Sequence, residues 1–169
     1  MGKGSTGFHF THVCLLFLLS IILNLFIFNA STSADPLLAM GFGIGGVLDD
    51  KQEGYGFIEY RIPYEFRNLK HWFTVEGTRN VLYIGTGILI DIPLSDHWII
   101  TPSFGAGYYD KSRKIDLGYS LEFRSSFEIS YHFTQKKRIG ISFGHYSNAS
   151  FGEKNPGVES IKLIYSIPL

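Results

Sequence analysis

Three residues near the end of the chain, His145, Ser147 and Glu159, are the types a serine hydrolase combines. A serine hydroxyl is a weak nucleophile until a neighbouring base takes its proton. The imidazole that serves as base needs a carboxylate to hold its tautomer and stabilise its cation. The stretch reads His145-Tyr146-Ser147-Asn148, then Asn155-Pro156-Gly157, then Glu159, so the loop between base and acid also supplies two carboxamide donors, Asn148 and Asn155. His-x-Ser alone is common by chance. What gives this instance weight is that the alternation of the flanking segments puts all three side chains on one face and at one depth.

Eight segments alternate with a period of two. Ala39–Val47 sets Met40, Phe42 and Ile44 against Gly41, Gly43 and Gly45, and Tyr55–Tyr64 sets Ile58, Tyr60 and Ile62 against Phe57, Glu59 and Arg61. His71–Gly77 opposes Phe73 and Val75 to Trp72, Thr74 and Glu76. In the fourth segment Leu82, Ile84, Ile88, Ile90 and Ile92 oppose Tyr83, Gly85, Gly87 and Asp91. The fifth opposes Trp98, Ile100, Phe104 and Ala106 to Thr101, Ser103, Gly105 and Gly107. The sixth is the clearest, with Leu121, Phe123, Phe127, Ile129, Tyr131 and Phe133 against Glu122, Arg124, Ser126, Glu128, Ser130 and His132. Arg138–Ser147 and the run from Ile161 to Leu169 complete the set.

A soluble half-buried sheet can show the same period. Two features instead predict an all-β fold, an eight-stranded antiparallel transmembrane β-barrel. Segments of about ten residues match a tilted strand crossing a bilayer. The polar face also carries charges of both signs and many glycines, as a narrow lumen would. A barrel of eight strands is filled by its own side chains, so a transport pore is not expected. Leu94-Ser95-Asp96 and Thr134-Gln135-Lys136-Lys137 read as short periplasmic turns. Asp49–Gly54, Gly77–Asn80, Tyr109–Gly118 and Asn148–Gly157 read as extracellular loops. Pro102 lacks a ladder donor and predicts a bulge in the fifth strand. On this plan Ile139, Ile141 and Phe143 face lipid, and His145 and Ser147 continue that face at its extracellular end, where Glu159 returns beside them.

The first 34 residues read as a secretory signal, with Lys3 before an apolar run from Val13 to Phe28 and Thr32-Ser33-Ala34 as a small-residue cleavage site. A retained membrane helix is the alternative. The mature domain is then 35–169, starting at Asp35. Cys14, the single cysteine, lies inside the apolar run, so the mature part has no thiol for catalysis, metal binding or disulfides. All 15 acids and every base except Lys3 follow residue 34, leaving a net charge of −1. No basic excess suggests a nucleic-acid partner. From the residues alone, a lipid hydrolase, a structural or adhesive barrel without catalysis, and a phospholipid-directed acyl hydrolase or transferase all remain open.

The stretch from Gly144 to Glu159 resembles the signature of the lipid A 3-O-deacylase (PagL) family, in the His-x-Ser step, the Asn-Pro-Gly and the spacing from Ser147 to Glu159. The final Leu169, where such barrels often end in an aromatic, departs from the usual pattern. The resemblance implies an eight-stranded barrel in the outer membrane of a Gram-negative bacterium, with its site toward the outer leaflet. It implies Ser147 as nucleophile, His145 as general base and Glu159 as the carboxylate that orients it. Asn155 is the first candidate for an oxyanion donor and Asn148 the second, with turn stabilisation the other reading of Asn148. The implied partners are lipopolysaccharide, through its lipid A, and outer-membrane lipids, with a homodimer possible. No metal or organic cofactor is expected. The acyl chains are expected along the wall of Ile141, Phe143, Ile161 and Leu163.

Overall fold

Alternation of polarity along the sequence becomes alternation of exposure along each strand. The computed structural model describes residues 35–63, 69–78, 82–110, 115–133 and 136–169. The targeting segment read over residues 1–34 lies outside these, as do Tyr64, Asn80, Thr134 and Gln135. Eight long antiparallel strands are present among the described residues: β1 (Leu37–Gly45), β2 (Glu53–Pro63), β3 (Leu69–Gly77), β4 (Leu82–Ile90), β5 (Trp98–Asp110), β6 (Leu121–His132), β7 (Arg138–Ser147) and β8 (Val158–Pro168). Their order is β4-β3-β2-β1-β8-β7-β6-β5, and β4 also pairs with β5, which closes the sheet into a barrel.

The polarity of this barrel is inverted relative to a water-soluble one. Phe42 (76% exposed), Ile58, Ile84, Phe104, Ile129, Ile141 and Leu163 point out of the wall, while Glu59, Arg61, Glu76, Arg124, Glu128 and Lys162 are buried inside it. Only a bilayer makes such a wall favourable, because in water this much contiguous apolar surface would drive association.

Ion pairs fill the interior. Arg124 bridges Glu59 and Glu76 at 2.7 and 2.8 Å, Arg61 bridges Glu59 and Glu128 at 2.8 and 2.7 Å, and Lys162 reaches Glu76 at 2.7 Å. A second cluster gathers on Asp91, which takes Lys70 and Arg138, each at 2.8 Å, and the Thr101 hydroxyl at 2.7 Å. Trp72 lies under the Arg124 guanidinium, 3.7 Å from its ring centre, and a Cβ at Gly87 or Gly105 would collide with the same indole. An interior cavity bounded by Tyr55, Glu76, Tyr83 and Tyr146 holds only about 30 Å³.

Three expectations change at the level of single elements. The fifth strand runs on to Asp110 and takes Tyr109 out of the expected loop, since Tyr109 turns inward and donates to Ile115 O at 3.2 Å. Glu53, Gly54 and Gly77 likewise belong to strands. Pro102 makes no bulge. Its pairing to β6 is continuous, opposite Phe127. On the other side the β4 ladder stops at Leu89–Ser103 and resumes, in unchanged register, where Ile92 and Pro93 pair with Ile100 and Ile99. The missing N–H therefore opens a gap in one ladder without inserting a residue.

Glu76→Ala would leave Arg124 and Lys162 partly uncompensated inside the barrel. The expected loss is about 3–5 kcal/mol, measured as a shift in urea unfolding in detergent micelles. Phe127→Arg, on the outer wall near the middle of β6, should cost about 2–4 kcal/mol in lipid bilayers.

Candidate active site

The site is built on the β7–β8 hairpin. In its register His145 lies opposite Glu159 and Tyr146 opposite Val158. Tyr146 points inward and donates its hydroxyl to Glu76 Oε2 at 2.7 Å. That buried bond sets the parity of the strand end, so the neighbours on either side, His145 and Ser147, must both face outward. His145 Nδ1 is 3.1 Å from Glu159 Oε1, with the two side chains 43% and 25% exposed. With a carboxylate as its partner, Nδ1 carries the proton and donates, which leaves Nε2 as an acceptor. The structure thus brings His145 and Glu159 into contact. It sets Ser147 one outward position along the same strand, opposite Phe123, and among the described residues no hydrogen bond joins Ser147 to the imidazole.

The two asparagines have different surroundings. Asn148 is fully buried, and its Nδ2 donates to Leu117 O at 2.8 Å and to Lys154 O at 2.7 Å. Both its side-chain protons are spent on tying residues 115–120 to the loop 148–157. Asn155 is exposed and accepts the Asn148 N–H on Oδ1 at 3.0 Å, which leaves its Nδ2 protons for another acceptor. Its carboxamide sits next to the backbone that carries Ser147.

Three supports were not evident in the sequence. Glu159 is held from behind, because its carbonyl accepts the N–H groups of Gly46 and Val47 at 2.8 and 3.3 Å. Gly157 adopts φ +67°, and a Cβ there would stand 2.8 Å from His145 Cε1 and 3.5 Å from Nε2, so the bare backbone abuts the imidazole edge. Ser125 is exposed on the outer face of β6 directly opposite His145, a polar break between Phe123 and Phe127. Its signal was present as an interruption of the apolar alternation. Among the described residues no three His, Cys, Asp or Glu side chains gather as a metal site requires.

The sequence model of the family described as Lipid A 3-O-deacylase (PagL) matches residues 54–168, which include His145, Ser147 and Glu159. The chain belongs to this family. Among its relatives, Lipid A deacylase PagL of Pseudomonas aeruginosa is 37% identical over 54 residues, 32% of this chain and 31% of that protein. Lipid A deacylase PagL of Bordetella bronchiseptica is 27% identical over 73 residues, 42% of this chain and 41% of that one. The matched stretches span less than half the length of either relative. A crystal structure of the outer membrane enzyme PagL superposes with a TM-score of 0.58 at 19% identity, covering 80% of this chain and all of that one, and shares the fold.

Gly157→Ala tests the ring contact directly. A methyl group at this φ costs about 1–2 kcal/mol and pushes on the imidazole, so the His145 Cε1–H resonance should move while the barrel stays folded. An unmoved resonance would show that Gly157 does not set the ring.

Proposed function

We propose that this chain is a lipid A 3-O-deacylase of the outer membrane, and that it hydrolyses the ester-linked 3-hydroxyacyl chain at position 3 of lipid A. The observation that carries the reading is the His145–Glu159 pair on the outward face of the barrel, with Ser147 on the same face, inside the matched region of the family. The placement suits a substrate that is itself a membrane lipid. The ion-paired interior, with a cavity of about 30 Å³ among the described residues, has no room for a lipid.

In this mechanism His145 Nε2 accepts the Ser147 proton as Oγ attacks the ester carbonyl, while Glu159 holds Nδ1–H and stabilises the imidazolium. The negative charge on the tetrahedral oxygen takes a hydrogen bond from Asn155 Nδ2. Collapse of the intermediate expels the glucosamine hydroxyl, which receives the proton from His145. Water then attacks the acyl-serine, again losing its proton to His145, and collapse of this second intermediate returns that proton to Ser147 Oγ and releases the 3-hydroxy fatty acid. The substrate partner is lipopolysaccharide in the outer leaflet, and none of these steps draws on a metal or an organic cofactor. The loop rim that carries Asn155 faces the cell exterior.

The test is mass spectrometry of lipid A from a Gram-negative host that makes either the wild-type chain or Ser147→Ala. Wild type should remove one hydroxyacyl group and Ser147→Ala none. A wild type that is folded in the outer membrane and leaves lipid A intact would sink the proposal, and a cleaved phospholipid would redirect it to another lipid ester. Asn155→Ala should lower kcat by roughly 10²–10³-fold, the usual effect of removing one oxyanion donor.

A further inference from the structure

Asn148 holds two loops together, and one end of its carboxamide lacks a partner. Nδ2 spends both protons on Leu117 O and Lys154 O, and the backbone N–H goes to Asn155 Oδ1. Oδ1 of Asn148 is buried and, among the described residues, accepts no hydrogen bond. The β6–β7 register places Glu122 one step beyond the Phe123–Ser147 pair, level with Asn148, and both side chains turn inward. The Glu122 side chain is fully buried within reach of the carboxamide, and among the described residues neither carboxyl oxygen has a hydrogen-bond partner. With Glu122 ionised, two orphaned acceptors would stand side by side. A proton on the carboxyl turns one of them into the donor the other lacks.

The surroundings favour that proton. Tyr83 of β4 and Tyr109 of β5 stand beside the carboxyl, in an apolar cluster with Leu117. Arg124, two residues along β6, is committed to Glu59 and Glu76. The charged residues lining the neighbouring cavity are Glu53 and Glu76, both acids, and Tyr146 is bonded to Glu76. Asp116 and Lys154, beside the carbonyls that Asn148 joins, are exposed to water. A buried carboxylate with no donor is costly, so the neutral acid is the form that fits here.

We propose that Glu122, as the neutral acid, is a positioning residue for the reaction, donating to Asn148 Oδ1 and so fixing the loop that presents Asn155. The proposal rests on the deacylase reading. Loss of the proton reverses the preference of the pair. A carboxylate repels Oδ1 and attracts Nδ2, so the carboxamide turns over and abandons Leu117 O and Lys154 O. Lys154 O belongs to the peptide that leads into Asn155, so the oxyanion donor loses its anchor when that bond goes. The clasp is therefore complete at acidic and neutral pH and weakens as the pH rises.

The experiment measures kcat and KM for lipid A deacylation in detergent from neutral to alkaline pH, with Ser147→Ala subtracting uncatalysed ester hydrolysis. Folding of each variant is verified by heat-modifiable gel migration. The side-chain amide resonances of Asn148 in nitrogen-labelled protein read the carboxamide without substrate, and Asn148→Asp assigns them. Wild type should lose roughly tenfold in kcat as the carboxyl ionises, one hydrogen bond's worth, with KM little changed. The Asn148 amide protons should shift over the same pH range. Glu122→Ala should show the low alkaline kcat at every pH. Glu122→Gln, whose amide donates without titrating, should rescue kcat, abolish the alkaline loss and hold the resonances still. An alkaline loss that survives in Glu122→Gln or vanishes in Tyr83→Phe overturns the proposal, as do Asn148 protons that fail to titrate in the wild type. A wild type that releases no hydroxy acid at any pH removes the deacylase reading and the catalytic role of Glu122 with it, and the amide titration then reads the clasp alone.

Discussion

The hydrogen bond from Tyr146 to Glu76 is the contact on which the outer surface depends. Glu76 also takes Arg124 and Lys162, so its carboxylate joins strands on opposite sides of the barrel through three donors. In a low-dielectric interior each of those charges is tolerable only while its partners stay in place. That requirement fixes the rotation of β7 at its loop end. A slip of one residue would send Tyr146 into lipid, turn His145 and Ser147 into the lumen and leave Glu76 short of a donor.

The same division of labour runs through the whole molecule. The interior holds acids and bases in close balance, with Glu59, Glu76, Asp91, Glu122 and Glu128 set among Arg61, Lys70, Arg124, Arg138 and Lys162. This network is rigid and has little space, so it serves as a last on which the wall is shaped. The candidate chemistry sits entirely outside it and is positioned by backbone: the Gly46 and Val47 amides behind Glu159, the Gly157 main chain against the imidazole, and the Asn148 clasp between two loops.

Much of this was legible in the sequence because a wall between lipid and a packed lumen imposes a two-residue period that nothing local overrides. The outward set Ile139, Ile141, Phe143 and the inward set Glu122, Arg124, Glu128 read correctly for that reason, and the His145, Ser147 and Glu159 face followed from parity. Parity failed to register where the polarity step is blurred. Leu89 lies between Ile88 and Ile90 yet turns inward. Tyr109-Asp110 looks like loop and is strand. Contacts distant along the chain were beyond reach. Nothing near Tyr146 announces Glu76, seventy residues earlier, and nothing in Pro156-Gly157 announces an imidazole lying against the backbone.

The position of the pair at the rim of the wall has a consequence for how the two reactants of a hydrolysis would meet. On the deacylase reading the lipid diffuses in two dimensions, and its supply is set by surface density and by the in-plane viscosity of the leaflet. Water comes from the third dimension, down past the loop of Asn155. The acyl-serine step thus depends on hydration at the rim and the acylation step on lateral order in the membrane, so stiffening the leaflet and drying its boundary would slow different halves of one catalytic cycle.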